Sequence, residues 1–169
     1  MFDKDKDRRF LHAITPLSVY PLTTLDRHEP AAHCKPNECY DNVRRHIEMY
    51  GGSIQYGWIF ASRWTYNYVI AGGHAVWKYD GALIDITPRL DVGKIMSPKV
   101  VPPLVDENGH MFFLPHDQGE QPNRFIPLTK NKVLIKKCRQ CTRKAWKEWQ
   151  DKDSCANRIA RMQRKCITG

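Results

Sequence analysis

The stretch that most constrains this chain runs from His74 to Thr87, HAVWKYDGALIDIT. Asp80-Gly81 lies between two apolar, β-branched and aromatic segments. An Asp-Gly pair in that setting is the strongest short-range hairpin signal, because both residues of a two-residue turn need positive φ. The turn fixes the register, placing Val76 opposite Asp85 and His74 opposite Thr87. Side chains alternate across a strand, so His74, Val76, Asp85 and Thr87 share one face. His74 and Asp85 are then diagonal neighbours about 7–8 Å apart at the backbone, within reach of a side-chain hydrogen bond.

An acid that orients an imidazole is two-thirds of a nucleophile, base and orienter set, and the nucleophile is found upstream. Cys39, Val43, Ile47 and Tyr50 recur at helical spacing, Asn37 is a candidate N-cap and Gly51-Gly52 a stop, which predicts a helix of about three turns. Cys39 falls in its first turn, where the helix dipole favours a thiolate, and on the same side as Val43 and Ile47, facing the body. Cys34, five residues upstream in a Pro-flanked loop, is the rival nucleophile.

Around this pair the chain reads as α+β. Ile54, Tyr56, Trp58 and Phe60 alternate as a strand with one buried face, and Tyr68-Val69-Ile70 leads to Gly72-Gly73, expected as a tight turn, bulge or hinge. Residues 1–36, with Pro16, Pro21, Pro30 and Pro36, read as an N-terminal arm, extended or an irregular cap. Residues 37–129 form the core, with a long surface loop and one or two short strands between Pro88 and Pro127. Residues 130–169 read as a helical extension, broken near Asp151 to Ser154 into a helical pair. Trp58, Trp77 and Gly73 are candidates for lining a substrate cleft.

HAVWKYDGALIDITP resembles the His-to-Asp hairpin of transglutaminase-like domains, and a cysteine at a helix start before such a hairpin is similar to the papain-like cysteine hydrolase superfamily in its transglutaminase-like and NlpC-type forms. ECYDNV, Gly51-Gly52, Gly57-Trp58, HAVW, IDITP and Phe113-Leu114-Pro115 resemble a group of small bacterial and phage proteins of this kind. The resemblance covers roughly residues 37–115. It implies a papain-like core, a Cys-bearing helix packed on a small antiparallel sheet, with Cys39 as nucleophile, His74 as general base and Asp85 as orienting acid. It also implies an oxyanion hole built from the backbone N–H of Cys39 and a nearby donor, for which Asn37 and Asn42 are candidates. The expected activity is that of a cysteine hydrolase or acyltransferase, a peptidase, amidase or deamidase, acting on an amide or isopeptide bond of a protein or peptide.

Charge separates the tail from the body. Residues 1–129 hold 14 Lys/Arg against 15 Asp/Glu, whereas residues 130–169 hold 13 against 3, so the net +9 belongs to the last forty residues. Lys136, Lys137, Arg139, Arg143, Lys144, Arg158, Arg161 and Arg164 are candidate contacts for nucleic acid or an acidic protein. That tail supports the alternative function, a non-catalytic protein with a papain-like body that binds such a partner. Cys138-x2-Cys141 invites zinc, with Cys155 and Cys166 as a second pair. On one helix, however, Cys155 and Cys166 would lie about 16 Å apart, and with Ile159 and Met162 they read as an apolar stripe. No metal or cofactor is expected. No apolar run approaches the roughly 20 residues of a membrane span and the first residues are charged, so the chain is expected in the cytoplasm, with its six cysteines reduced and no membrane partner. At 41% hydrophobic residues and five Trp it can build a core.

Overall fold

A computed structural model describes residues 4–27, 29–63, 67–88 and 103–167, with side chains described for 8–25, 29–61, 67–88 and 103–151. The order is α1 (Lys4–Ile14), a 3-10 turn (Thr15–Leu17), β1 (Thr23–Arg27), α2 (Cys39–Tyr50), β2 (Ser53–Arg63), β3 (Tyr68–Tyr79), β4 (Ala82–Asp85), β5 (Met111–His116), β6 (Arg124–Pro127) and α3 (Lys132–Ile167). This is an α+β fold.

The hairpin is the local structure its turn demands. Asp80 and Gly81 have φ of 47° and 80°, and Tyr79 pairs with Ala82, Lys78 with Leu83 and Trp77 with Ile84. β3 is longer than the sequence suggests. Gly72-Gly73 is no turn: β3 pairs with β2 without interruption from Tyr68 opposite Arg63 to Lys78 opposite Ser53. The glycines answer instead to close approach. A Cβ on Gly73 would lie 1.8 Å from the Gln121 carbonyl oxygen, while one on Gly72 would meet nothing nearer than 3.5 Å.

The sheet closes on itself. β2 pairs with β3 and β5, β5 with β1, β1 with β4 and β4 with β3, with β6 added to β3. All these pairings are antiparallel except β1 with β4. Leu25, Val76, Met111 and Phe113 fill the interior, packed by Ile59, Leu83 and Val105. Outside, Phe10 and Ile14 of α1 cover Trp58, Phe60, Val69 and Ala71, with Phe10 edge-on to Phe60 at 5.2 Å. Val43 of α2 packs on Ala75 and Ile86.

Two expectations about the ends are corrected. Residues 1–36 are not an extended arm or irregular cap throughout: they carry α1 and a strand inside the sheet, whose Leu25 is fully buried. TTLDR has no alternating apolar pattern, so nothing local marks it as a strand. The tail is one helix of 36 residues, not a helical pair. No Gly or Pro interrupts it between Lys132 and Ile167, and capping residues at Asp151 to Ser154 do not by themselves stop a helix. Between Pro88 and Pro127, residues 103–127 supply β5 and β6, and 89–102 lie outside the described residues.

Candidate active site

β3 is flanked on its second edge by β6 only over Tyr68 to Ala71 and by β4 only over Trp77 to Tyr79. Among the described residues, no strand neighbours the interval from Gly72 to Val76 there. The first turn of α2 meets this gap, with the Tyr40 hydroxyl over Gly73. The gap brings together a helix start and a hairpin that are 35 residues apart in sequence, from Cys39 to His74.

Cys39, His74 and Asp85 are all buried, at 8%, 6% and 5% exposure. His74 Nε2 and Asp85 Oδ1 are 3.1 Å apart, and the Thr87 backbone N–H donates to the same Oδ1 at 3.1 Å. Cys39 makes a side-chain hydrogen bond with His74. Because Nε2 is committed to Asp85, Nδ1 is the ring nitrogen left for the sulfur. Burial alone disfavours the imidazolium, but the charge and hydrogen bond of Asp85, reinforced by those of Cys39, outweigh it and push His74 up to about 10. The raised imidazole thus stands beside a thiol in the first turn of a helix.

The oxyanion candidates have different surroundings. Asn37 lines the cleft. It is not the helix cap, which is Glu38, with no side-chain capping bond. Asn37 has φ of 63° in the turn Lys35 to Glu38, closed by Glu38 N–H to the Lys35 carbonyl at 3.4 Å, a conformation Asn tolerates better than most residues. Asn42 is fully buried and its amide is already engaged. Its Oδ1 accepts from Lys35 N–H at 2.9 Å, and its Nδ2 donates to the Lys35 carbonyl at 2.7 Å and to Thr87 Oγ1 at 3.4 Å. Asn42 therefore ties the segment before Cys39 to the segment after Asp85, with both ends of its amide already occupied.

A cleft of about 760 Å³ opens on Cys39, His74 and Asp85 and includes Gly73. Trp58 and Trp77 do not line it. Trp58 is fully buried in the α1 core, beside His116 at 5.1 Å and under the Arg124 guanidinium at 4.9 Å. Trp77 stacks on Tyr79 at 4.8 Å and donates through Nε1 to the Gly51 carbonyl at 2.9 Å, at the C-terminal end of α2, opposite from Cys39. Sequence reasoning missed Tyr40 and Gln121. The Tyr40 hydroxyl meets the Gln121 backbone N–H at 3.3 Å and its carbonyl at 3.4 Å, fixing the loop that walls the cleft over Gly73. Burial pushes the Tyr40 hydroxyl up, so it stays neutral. Tyr40 stands next to Cys39 in sequence, but only the fold reveals its partner.

Cys34 packs half-buried against the Val43, Ala75 and Ile86 cluster, and burial pushes its thiol up, the opposite of activation. In α3, Cys138 is buried and Cys141 exposed, with no cluster of three metal-ligating side chains among the described residues. The side chains of Cys155 and Cys166 lie outside the described residues, as do those of Arg158, Arg161 and Arg164. Lys136, Lys137, Arg139, Arg143 and Lys144 are exposed. The other side of α3 docks on the body. Thr142 Oγ1 accepts the Phe125 N–H at 3.0 Å, and Ala145, Glu148 and Trp149 form a wall of the cleft.

Comparison of the chain with protein-family models, curated proteins and solved structures finds no match. Among the described residues no helix is long and apolar enough to cross a membrane.

Proposed function

We propose that this protein is a papain-like cysteine hydrolase or acyltransferase acting on an amide or isopeptide bond. The observation that carries the reading is the buried hydrogen-bonded series from Cys39 through His74 to Asp85. In the proposed reaction the thiolate attacks the carbonyl carbon, and the charge moves to the carbonyl oxygen. The N–H groups of the first helical turn, that of Cys39 among them, have no partner within the helix and are the donors offered to it. The His74 imidazolium gives its proton to the leaving nitrogen as the C–N bond breaks, leaving a thioester on Cys39 and a neutral imidazole. Water or an acceptor amine then attacks the thioester while His74 takes up its proton, and the thiolate and imidazolium are restored.

Asp85 holds the ring by accepting from Nε2, and Thr87 N–H holds Asp85. The exposed basic side chains of α3 form a surface beside the cleft suited to an acidic partner or nucleic acid.

The test is alkylation by iodoacetamide at pH 6, followed residue by residue by mass spectrometry. Cys39 is expected to react at least tenfold faster than Cys34, Cys138 and Cys141, and His74→Ala to remove the advantage. Equal labelling of the four thiols would refute the catalytic reading and leave a binding protein whose basic helix does the work.

A further inference from the structure

The inner face of β2 and β3 beyond His74 is built unlike its outer face. On the outer face Phe60, Val69 and Ala71 are buried under α1. On the inner face Ile59 pairs with Gly72 and Ala61 with Ile70, and all four stay partly exposed and line the cleft. Side chains alternate, so Gly72 and Ile70 follow His74 along the same face of β3. The result is an apolar trough that starts at the imidazole and runs four residues to Ile70, about 13 Å at roughly 3.3 Å per residue. Ala145 and Trp149 of α3 stand in its wall, and Gln121, Asn123 and Glu148 supply polar atoms to the lining. Gly72 leaves the trough open where a side chain would stand, although no backbone constraint requires glycine there: a Cβ would meet Asn123 Oδ1 at 3.5 Å and Ile59 Cγ1 at 3.7 Å, ordinary contacts.

We infer that this trough is the subsite for a bulky apolar side chain of a peptide substrate, next to the carbonyl that Cys39 attacks, and that Trp149 of the C-terminal helix is a specificity-determining residue. The inference rests on Cys39 being the nucleophile of the proposed reaction. An apolar group seated on Gly72 between Ile59, Ile70 and Trp149 leaves water while its neighbouring carbonyl lies at the sulfur. Continuity with the triad distinguishes this surface from an apolar patch elsewhere.

The test uses the full chain and two small electrophiles, chloroacetyl-leucinamide and chloroacetyl-glycinamide, with glutathione as the reference thiol. The rate ratio of leucine to glycine reagent at Cys39 is expected to exceed that of glutathione at least tenfold, the discrimination that apolar pockets commonly reach. Gly72→Val, which fills the floor, and Trp149→Ala, which removes the wall, are each expected to bring the ratio down towards the glutathione value. A wild-type ratio equal to that of glutathione overturns the inference, as does a high ratio that Gly72→Val leaves in place. A high ratio retained in Trp149→Ala removes α3 from the subsite. An unactivated thiol would slow both reagents alike and leave the ratio readable, so the absolute rate judges the nucleophile and the ratio judges the trough.

Discussion

At the scale of single residues, His74 links the proposed chemistry to stability. Its proton is held up to about pH 10 in the fold but only to about 6.5 in the unfolded chain, so the unfolded state loses that proton first as pH rises. The stabilisation from the paired imidazolium is fully present below about pH 6.5, falls between the two values and is gone above the folded one. Denaturant titrations of wild type and His74→Gln at pH 6 and pH 9.5 are expected to show a wild-type advantage that shrinks at the higher pH. Asn42 offers a second measurement. Its amide answers both backbone groups of Lys35, so Asn42→Ala leaves buried polar groups unanswered and is expected to cost about 3 kcal/mol in the same titration. It should slow Cys39 alkylation as well, because it frees the segment leading into α2. The pairing of His74 with Asp85 was legible in the sequence because an Asp-Gly turn dictates register. The task of Asn42 was not legible, since its partners Lys35 and Thr87 belong to segments with no periodic pattern.

At the scale of elements, the two adjacent glycines of β3 make opposite demands. A methyl on Gly73 runs into the Gln121 carbonyl and the Tyr40 hydroxyl, while a methyl on Gly72 reaches only ordinary contacts. Gly73→Ala is expected to cost about 2 kcal/mol of stability and to push the Gln121 loop outwards, against a change under about 1 kcal/mol for Gly72→Ala, both read from chemical denaturation. Both glycines are plain in the sequence, but a Gly-Gly pair reads first as a turn. The information that turns it into mid-strand packing comes from β2, β6 and the Gln121 loop. The same holds for α3, where residues with capping propensity lie inside a helix that nothing in the chain breaks.

At the scale of the whole molecule, the basic extension and the body cannot be separated as composition suggests. α3 is held by Thr142, buries Cys138 and walls the cleft with Ala145 and Trp149. Truncation after Thr129 is therefore expected to lower the thermal midpoint by several degrees and to slow reaction at Cys39, as well as to remove any salt-sensitive binding to DNA. A truncated chain with an unchanged midpoint and unchanged Cys39 reactivity would show that the contacts of α3 carry no weight. Charge patterning revealed that the tail differs from the body. It could not reveal which side of the helix lies against the sheet, because Leu134, Cys138, Ala145 and Trp149 gain meaning only with β6 and the cleft opposite them.

The ring of strands also has a temporal consequence. β1 sits between β4 and β5, so this early segment finds both its neighbours only once His116 has left the ribosome. Until then the nascent chain carries an unzipped seam, and the cleft takes its shape late in synthesis.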